Sequence, residues 1–209
     1  MNNKSEDAYQ KLVTMITLCE LEPGVMVSEG TLMELSGMGR TPVRDALQRL
    51  AIEKLVEIHP RRGILIPSLS VEVQLKLLEV RRHLEVLVVQ LAAHRASFEQ
   101  KKQILNLLDE ELDISDREAF NSWLSRVHHI VLDSANNEYL TVAMLPLQGL
   151  SRRFWFAHMK DVEQTQREAR QYHSNILKAI CNSDQSEAEK CSIALNDYLS
   201  DFSYQTLRK

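Results

Sequence analysis

Five arginines and a threonine crowd into one short stretch of this 209-residue chain. Arg40, Thr41 and Arg44 open a helix-forming run and stand off its apolar stripe of Val43, Ala46, Leu47, Leu50 and Ala51. Arginine at the start of an exposed helix can donate two hydrogen bonds to the O6 and N7 of guanine. The free N–H groups and positive dipole end of such a helix suit a phosphate. Arg61 and Arg62 stand beside Gly63 in a turn between two short β-branched runs, where they can reach a DNA backbone or minor groove. Between Gly37 and Gly63 six basic residues (Arg49 and Lys54 among them) face three acidic ones, a local charge of +3. The whole chain has 25 Lys and Arg against 29 Asp and Glu, a net charge of −4. That balance argues against a general nucleic-acid coat and leaves a local reading head open, because DNA binding depends on where charge sits. The residues alone also allow a solvated helix face on a winged helix used for protein contacts.

A second group lies further on. Arg81 stands amid apolar positions in LLEVRRHLEVLVVQLAAH. A charge there needs a partner. That partner is either Glu85, one turn on, or the carboxylate of an anionic small molecule, which a guanidinium clamps with two hydrogen bonds. His128 and His173 can ligate a metal or hydrogen-bond a bound molecule. Phe154, Trp155 and Phe156 form an aromatic cluster that reads as core before it reads as a pocket wall. There is no H-E-x-x-H, no G-x-S-x-G and no glycine-rich phosphate loop, so the chain does not read as an enzyme.

Both groups must be held by a scaffold. With 44% apolar and 26% charged residues, the composition provides for a core and excludes a wholly disordered chain. Pro23-Gly24, Gly37, Gly39, Pro42, Pro60, Gly63 and Pro67 fall in the first third, and only Pro146 and Gly149 follow. The shift predicts a boundary near Pro67–Ser70, with domains over 1–68 and 71–206. The first domain reads as a helix from Ser5 to Cys19, a short helix capped by Ser28, a tight turn at Gly37–Gly39, a helix from Arg40 or Thr41, and a two-stranded hairpin of Val56–Ile58 and Ile64–Ile66. That order is a winged helix-turn-helix. The second reads as six helices: Val71–Ala96, Phe98–Leu112, Asp116–Ser134, Glu138–Met159, Val162–Asn182 and Ser186–Thr206. The fold class is mainly α. Cys19, Cys181 and Cys191 are odd in number and lack a C-x-x-C pair, which argues against a disulfide framework or zinc ribbon. The N-terminus MNNKSEDAYQ is polar and acidic rather than signal-like, and charges break every apolar stretch. These features point to the cytoplasm and away from the membrane.

The stretch LEPGVMVSEGTLMELSGMGRTPVRDALQRLAIEKLVEIHPRRGILI resembles the signature of the GntR family of bacterial transcription regulators. The match runs through the Pro-Gly turn, Ser28-Glu29, Arg40-Thr41-Pro42-Val43-Arg44-Asp45-Ala46-Leu47, Leu50, Leu55-Val56 and Gly63. The resemblance implies sequence-specific binding of an inverted-repeat DNA operator by a homodimer. It implies that Arg40 and Arg44 read bases, that Thr41 contacts phosphate, and that Arg62-Gly63 sits at the wing tip. Arg49 and Arg61 join the expected DNA contacts. Gly39 replaces the usual serine, Gly30 a common basic residue and Ser36 a usual leucine, which bears on operator sequence and affinity.

Residues 71–206 resemble the helical ligand domain of the FadR-type (FCD) branch, in its smaller, vanillate-regulator-like subgroup. Arg81 and Glu85, His128 with Asn137 and Leu140, and His173 with Ile176-Leu177, Asp184 and Ala188 carry the likeness. It implies a small, carboxylate-bearing effector bound near Arg81, His128 and His173. In many such domains an Asp and three His hold zinc, nickel or manganese. Here only His128 and His173 of that set are present. The Asp position falls on Leu124, and the last His falls on Leu195, or on Tyr198 one turn later. Asp133, one turn after His129, is a substitute to examine. A helical domain that has lost its ligand and serves only dimerisation is the alternative.

Overall fold

Apolar residues at three- and four-residue spacing build the first helices. In α1 (Lys4–Thr17), Ala8, Leu12 and Ile16 turn inward. The chain then passes through β1 (Met26–Val27) into α2 (Glu29–Ser36), where the Ser28 hydroxyl caps the helix by accepting from the Thr31 N–H at 3.0 Å. Gly37 ends α2 in the left-handed region, at φ 70°, and the chain turns directly into α3 (Arg40–Ile52). Val43, Ala46, Leu47 and Leu50 of α3 pack on α1 around a shared core with Leu32, Leu55, Ile64 and Ile66. Each such leucine contributes roughly 1.5–3 kcal/mol by burial.

The wing is β2 (Glu57–His59) and β3 (Gly63–Leu65), antiparallel, with Ile58 opposite Ile64. The expected two-stranded hairpin gains a third strand: β1 pairs with β3 on its other side, Val27 opposite Ile64, giving the order β1-β3-β2. Two residues have no readable period, so β1 leaves no trace in the sequence pattern. Gly63 is required here twice over. Its φ is +119°, and an added Cβ would lie 2.8 Å from the Val27 carbonyl oxygen.

Among the described residues six further helices follow: α4 (Val71–Arg95), α5 (Phe98–Asp109), α6 (Arg117–Ala135), α7 (Glu138–His158), α8 (Val162–Cys181) and α9 (Gln185–Gln205). Side chains cap the starts of the last five: Ser97 in a reciprocal box with Gln100, then Asp116, Asn137, Asp161 and Asp184. These caps explain the short connections, since each satisfies orphan N–H groups at a helix N-terminus. α4 is the central element and packs against α9, α6 and α8. Pro146 sits inside α7 without ending it.

The computed structural model describes residues 4–207 and divides into two compact units. The first takes the chain through Ser70 together with Gly149–Ala157 of α7. The second takes Val71–Gln148 and the chain from His158 onward. Phe154, Trp155 and Phe156 are buried in the first unit, with Trp155 and Phe156 edge to face at 5.1 Å. Arg153 beside them is buried and donates from Nη2 to the Pro67 carbonyl at 2.6 Å. Burial holds that guanidinium below the usual arginine range.

Candidate nucleic-acid interface and buried polar cluster

The start of α3 presents Arg40 and Arg44 to solvent, their side chains 70% and 60% exposed. Thr41 is exposed beside them, and Gly39 gives the helix no side-chain cap. The first-turn N–H groups thus have no competing side-chain acceptor at the cap, as a phosphate site requires. Glu29, in the first turn of α2, lies between the two arginines. The Nε–H of Arg44 is shared by both Glu29 oxygens at 3.0 and 2.9 Å, and Arg40 Nε is 3.4 Å from Oε1.

Across from α3 stands the wing turn, with Arg61 and Arg62 exposed and Arg61 in the left-handed region at φ 66°. A groove of about 540 Å³ runs between them, lined by Glu29, Arg44, Gln48, His59, Arg61 and Gly63, among others. Gln48 and His59 were not among the residues expected from sequence. Gln48 had a legible signal, since it follows Arg44 by one turn on the face away from the apolar stripe.

Arg49 lies elsewhere. Its guanidinium sits 3.5 Å over the Tyr9 ring, donates from Nη1 to Glu6 at 2.9 Å, and donates from Nε to Glu53 at 3.3 Å. The Tyr9 hydroxyl donates to Glu53 at 2.8 Å. Burial, then the Glu53 charge, pushes the Tyr9 phenol well above its ordinary range. The arginine expected to face DNA is therefore engaged in fastening α1 to α3, because its position turns it toward α1.

In the second unit, four helices bring polar side chains inward. Arg81 and Glu85 form a buried fork: Nε to Oε2 at 2.9 Å and Nη2 to Oε1 at 3.1 Å. Asn196 of α9 donates to the same Oε2 at 3.0 Å. Of the two partners open to Arg81 in the sequence, Glu85 is the one engaged. Burial pushes the Glu85 carboxyl up, but the Arg81 charge and hydrogen bonds, with Asn196 and His173, hold it below the usual carboxylate range. His128 of α6 and His173 of α8 are both buried, with ring centroids 5.5 Å apart. His173 Nδ1 lies 2.8 Å from the Ala169 carbonyl, which only accepts, so Nδ1 carries the proton. In the neutral ring, Nε2 then bears the lone pair.

On the buried faces of the same helices, polar atoms stand without a hydrogen-bond partner: Asn121 Oδ1 on α6, both amide atoms of Gln166 on α8, and Ser192 Oγ and Asn196 Oδ1 on α9. None of these four residues stands out in the sequence. Their signal is the inward period shared with His128, His173 and Glu85, visible only once the helix faces are known. The same centre is a poor match for the metal that the FCD resemblance implies. Leu124 and Leu195 are buried at the positions of the missing carboxylate and imidazole. His129 and Asp133 are exposed. Among the described residues, no three His, Cys, Asp or Glu side chains gather as a ligand group. Two imidazoles alone do not fit the metal centre.

One outer face is apolar instead. Val73, Val80 and Leu87 of α4 are 61%, 52% and 43% exposed and recur every seven residues.

The family model described as "Bacterial regulatory proteins, gntR family" matches residues 4–66, and the FCD domain model matches residues 76–197. The chain belongs to the GntR family. It is a DNA-binding transcription regulator with an FCD domain, and not an enzyme. It is 26% identical over 218 residues to the galactonate operon transcriptional repressor of Escherichia coli, covering 92% of this chain and 93% of that protein. It is also 26% identical over 140 residues to the Bacillus subtilis regulator YdhC, an alignment that spans 63% of this chain and 61% of that protein. The McbR/YncC structure from E. coli shares the fold at a TM-score of 0.80 and 19% identity, over 99% of this chain and 100% of that one. A GntR regulator from Rhodococcus sp. RHA1 does so at 0.71 and 20% identity, over 99% of each chain. In the GntR head, the signature residues Arg40, Arg44 and Gly63 thus occupy α3 and the wing. In the FCD domain, the signature Asn137 and Asp184 are helix caps. Among the described residues, no helix is long and apolar enough to cross a membrane.

Proposed function

We propose that this GntR regulator binds an inverted-repeat operator as a homodimer and that a small anionic metabolite, held without metal in the FCD interior, sets its affinity for DNA. The observation that carries the reading is the buried polar centre. A helical bundle is stabilised by apolar packing, and each unpartnered buried polar atom costs about 1–3 kcal/mol. Five such atoms on the buried faces of the helices that carry an ion pair and two imidazoles serve a ligand better than they serve stability. With Arg81 and Glu85 neutralising each other, we assign the hydrogen bonds to the bound acid to His128 and His173. Arg81 then acts chiefly through Glu85, and it reaches the ligand only by giving up that pair. The E. coli relative named for the galactonate operon supports an organic acid as the class.

For the head, we assign base reading to Arg40 and Arg44, phosphate contact to Thr41, and backbone or minor-groove contact to Arg61 and Arg62, with Gly63 shaping the wing. We assign the seven-residue stripe of α4 to the second copy, since a stripe of this period can pack on its own copy across a two-fold axis. The protein then works in the cytoplasm, where operator and metabolite meet. Coupling has a covalent route: α7 belongs to the second unit through Gln148 and to the first from Gly149 to Ala157.

The test is a thermal-shift screen of hydroxy- and dicarboxylic acids, each with and without EDTA. An acid at a hundredfold excess over its Kd adds about 2.7 kcal/mol, and the gain is expected to be the same in EDTA. A panel with no shift points to a dimerisation module without ligand. A shift that EDTA removes puts a metal back in the site.

A further inference from the structure

We infer that Glu29 is a positioning residue that makes Arg40 and Arg44 selective for guanine; the inference rests on reading those two arginines as base contacts. Three observations carry it. Glu29 comes from a different helix than the arginines, and both point Nε at its single carboxylate. Its backbone is held in the first turn of α2, directly after the Ser28 cap. It also lines the groove between α3 and the wing, the path open to a DNA strand.

The chemistry follows from which nitrogen is used. An arginine forks onto guanine O6 and N7 end-on with its two Nη groups. A carboxylate that takes Nε leaves that end free and fixes the plane of the guanidinium. Without the carboxylate, a long arginine side chain can swing to any phosphate, whatever the sequence. Glu29 also places a negative charge where a phosphate would otherwise sit, which penalises loose backbone contact. It therefore lowers non-specific affinity while sharpening base choice, a specificity obtained partly by repulsion.

The experiment uses the full-length protein. A duplex is selected from a randomised library with the wild type, and binding is measured to that duplex, to the same duplex with 7-deazaguanine in place of guanine, and to random duplex. Wild type is expected to lose about 10-fold or more on the 7-deaza duplex, which lacks the N7 acceptor. Glu29→Gln keeps the shape and removes the charge. Its 7-deaza loss is expected to shrink to about 3-fold or less. Its affinity for random duplex rises, and its salt dependence steepens by about one phosphate contact. A merely structural role would lower binding to every duplex together. If Glu29→Gln melts early, Glu29→Asp keeps the test open: with the charge retained on a shorter arm, its random-duplex affinity is expected to stay near wild type. Equal 7-deaza losses in wild type and Glu29→Gln overturn the role of Glu29. A wild type indifferent to 7-deazaguanine overturns the base-reading assignment instead.

Discussion

Replacing Arg44 by alanine is expected to cost about 10- to 100-fold on the operator, at roughly 1–3 kcal/mol for a bidentate base contact, with little change on random duplex. Arg44 is exposed at the start of α3, and among the described residues its partner in the head is Glu29. No part of the core depends on it, so the loss should appear in binding and not in the melting temperature. Arg62→Ala differs in kind: a wing-tip charge that meets backbone weakens all sequences and flattens the salt dependence. Competition binding with selected and random duplexes separates the two. Equal losses on both duplexes for Arg44→Ala remove it from the reading set.

The second large effect concerns the buried fork. Glu85→Ala leaves the Arg81 guanidinium without its carboxylate inside the bundle, and Arg81→Ala leaves Glu85 unpaired there. Either is expected to destabilise the second unit by about 3–5 kcal/mol, the usual cost of half a buried pair. Replacing both, as Arg81→Met with Glu85→Leu, should recover most of that stability, because an apolar pair of similar volume avoids desolvation altogether. The pH dependence has a definite sign. The Glu85 carboxyl titrates lower in the folded chain than in the unfolded one. Its contribution is therefore complete above the unfolded value of about 4.3 and fades as pH falls through the lower folded value. Wild type should lose stability on that acid limb more steeply than the double variant. Thermal unfolding between neutral and acid pH measures both effects, and a Glu85→Ala protein as stable as wild type contradicts the account of the fork.

The helices were largely legible because each rests on local signals. The 3-4 stripe of α3, the Ser28 cap and the Pro-Gly turn all act within a few residues. The Arg81–Glu85 pair was equally local, one turn apart. What escaped depends on chain far away. Asn196 reaches Glu85 across 111 positions, and Arg49 meets Glu6 across 43. The third strand is two residues long, and its existence depends on the wing folding back onto it. α7 reads as one unbroken amphipathic helix, yet its last turns belong to the first unit. No local pattern marks where a continuous helix changes the core it serves. The centre of the FCD domain was legible in part. Resemblance pointed to His128 and His173, and the structure brings them together. The orphaned amides of Asn121 and Gln166 had no family motif to announce them.

One ligand-controlled dimer is proposed to read one two-fold site. Footprinting of wild-type protein on its selected operator, with and without the acid that stabilises it and at a stoichiometry fixed by sedimentation, puts this to the test. The expected result is two protected half-sites about 10 base pairs apart, one dimer per site, and an affinity that saturating acid changes by about 5- to 150-fold. A monomer protecting a single half-site, or an occupancy that saturating acid leaves unchanged, would contradict it.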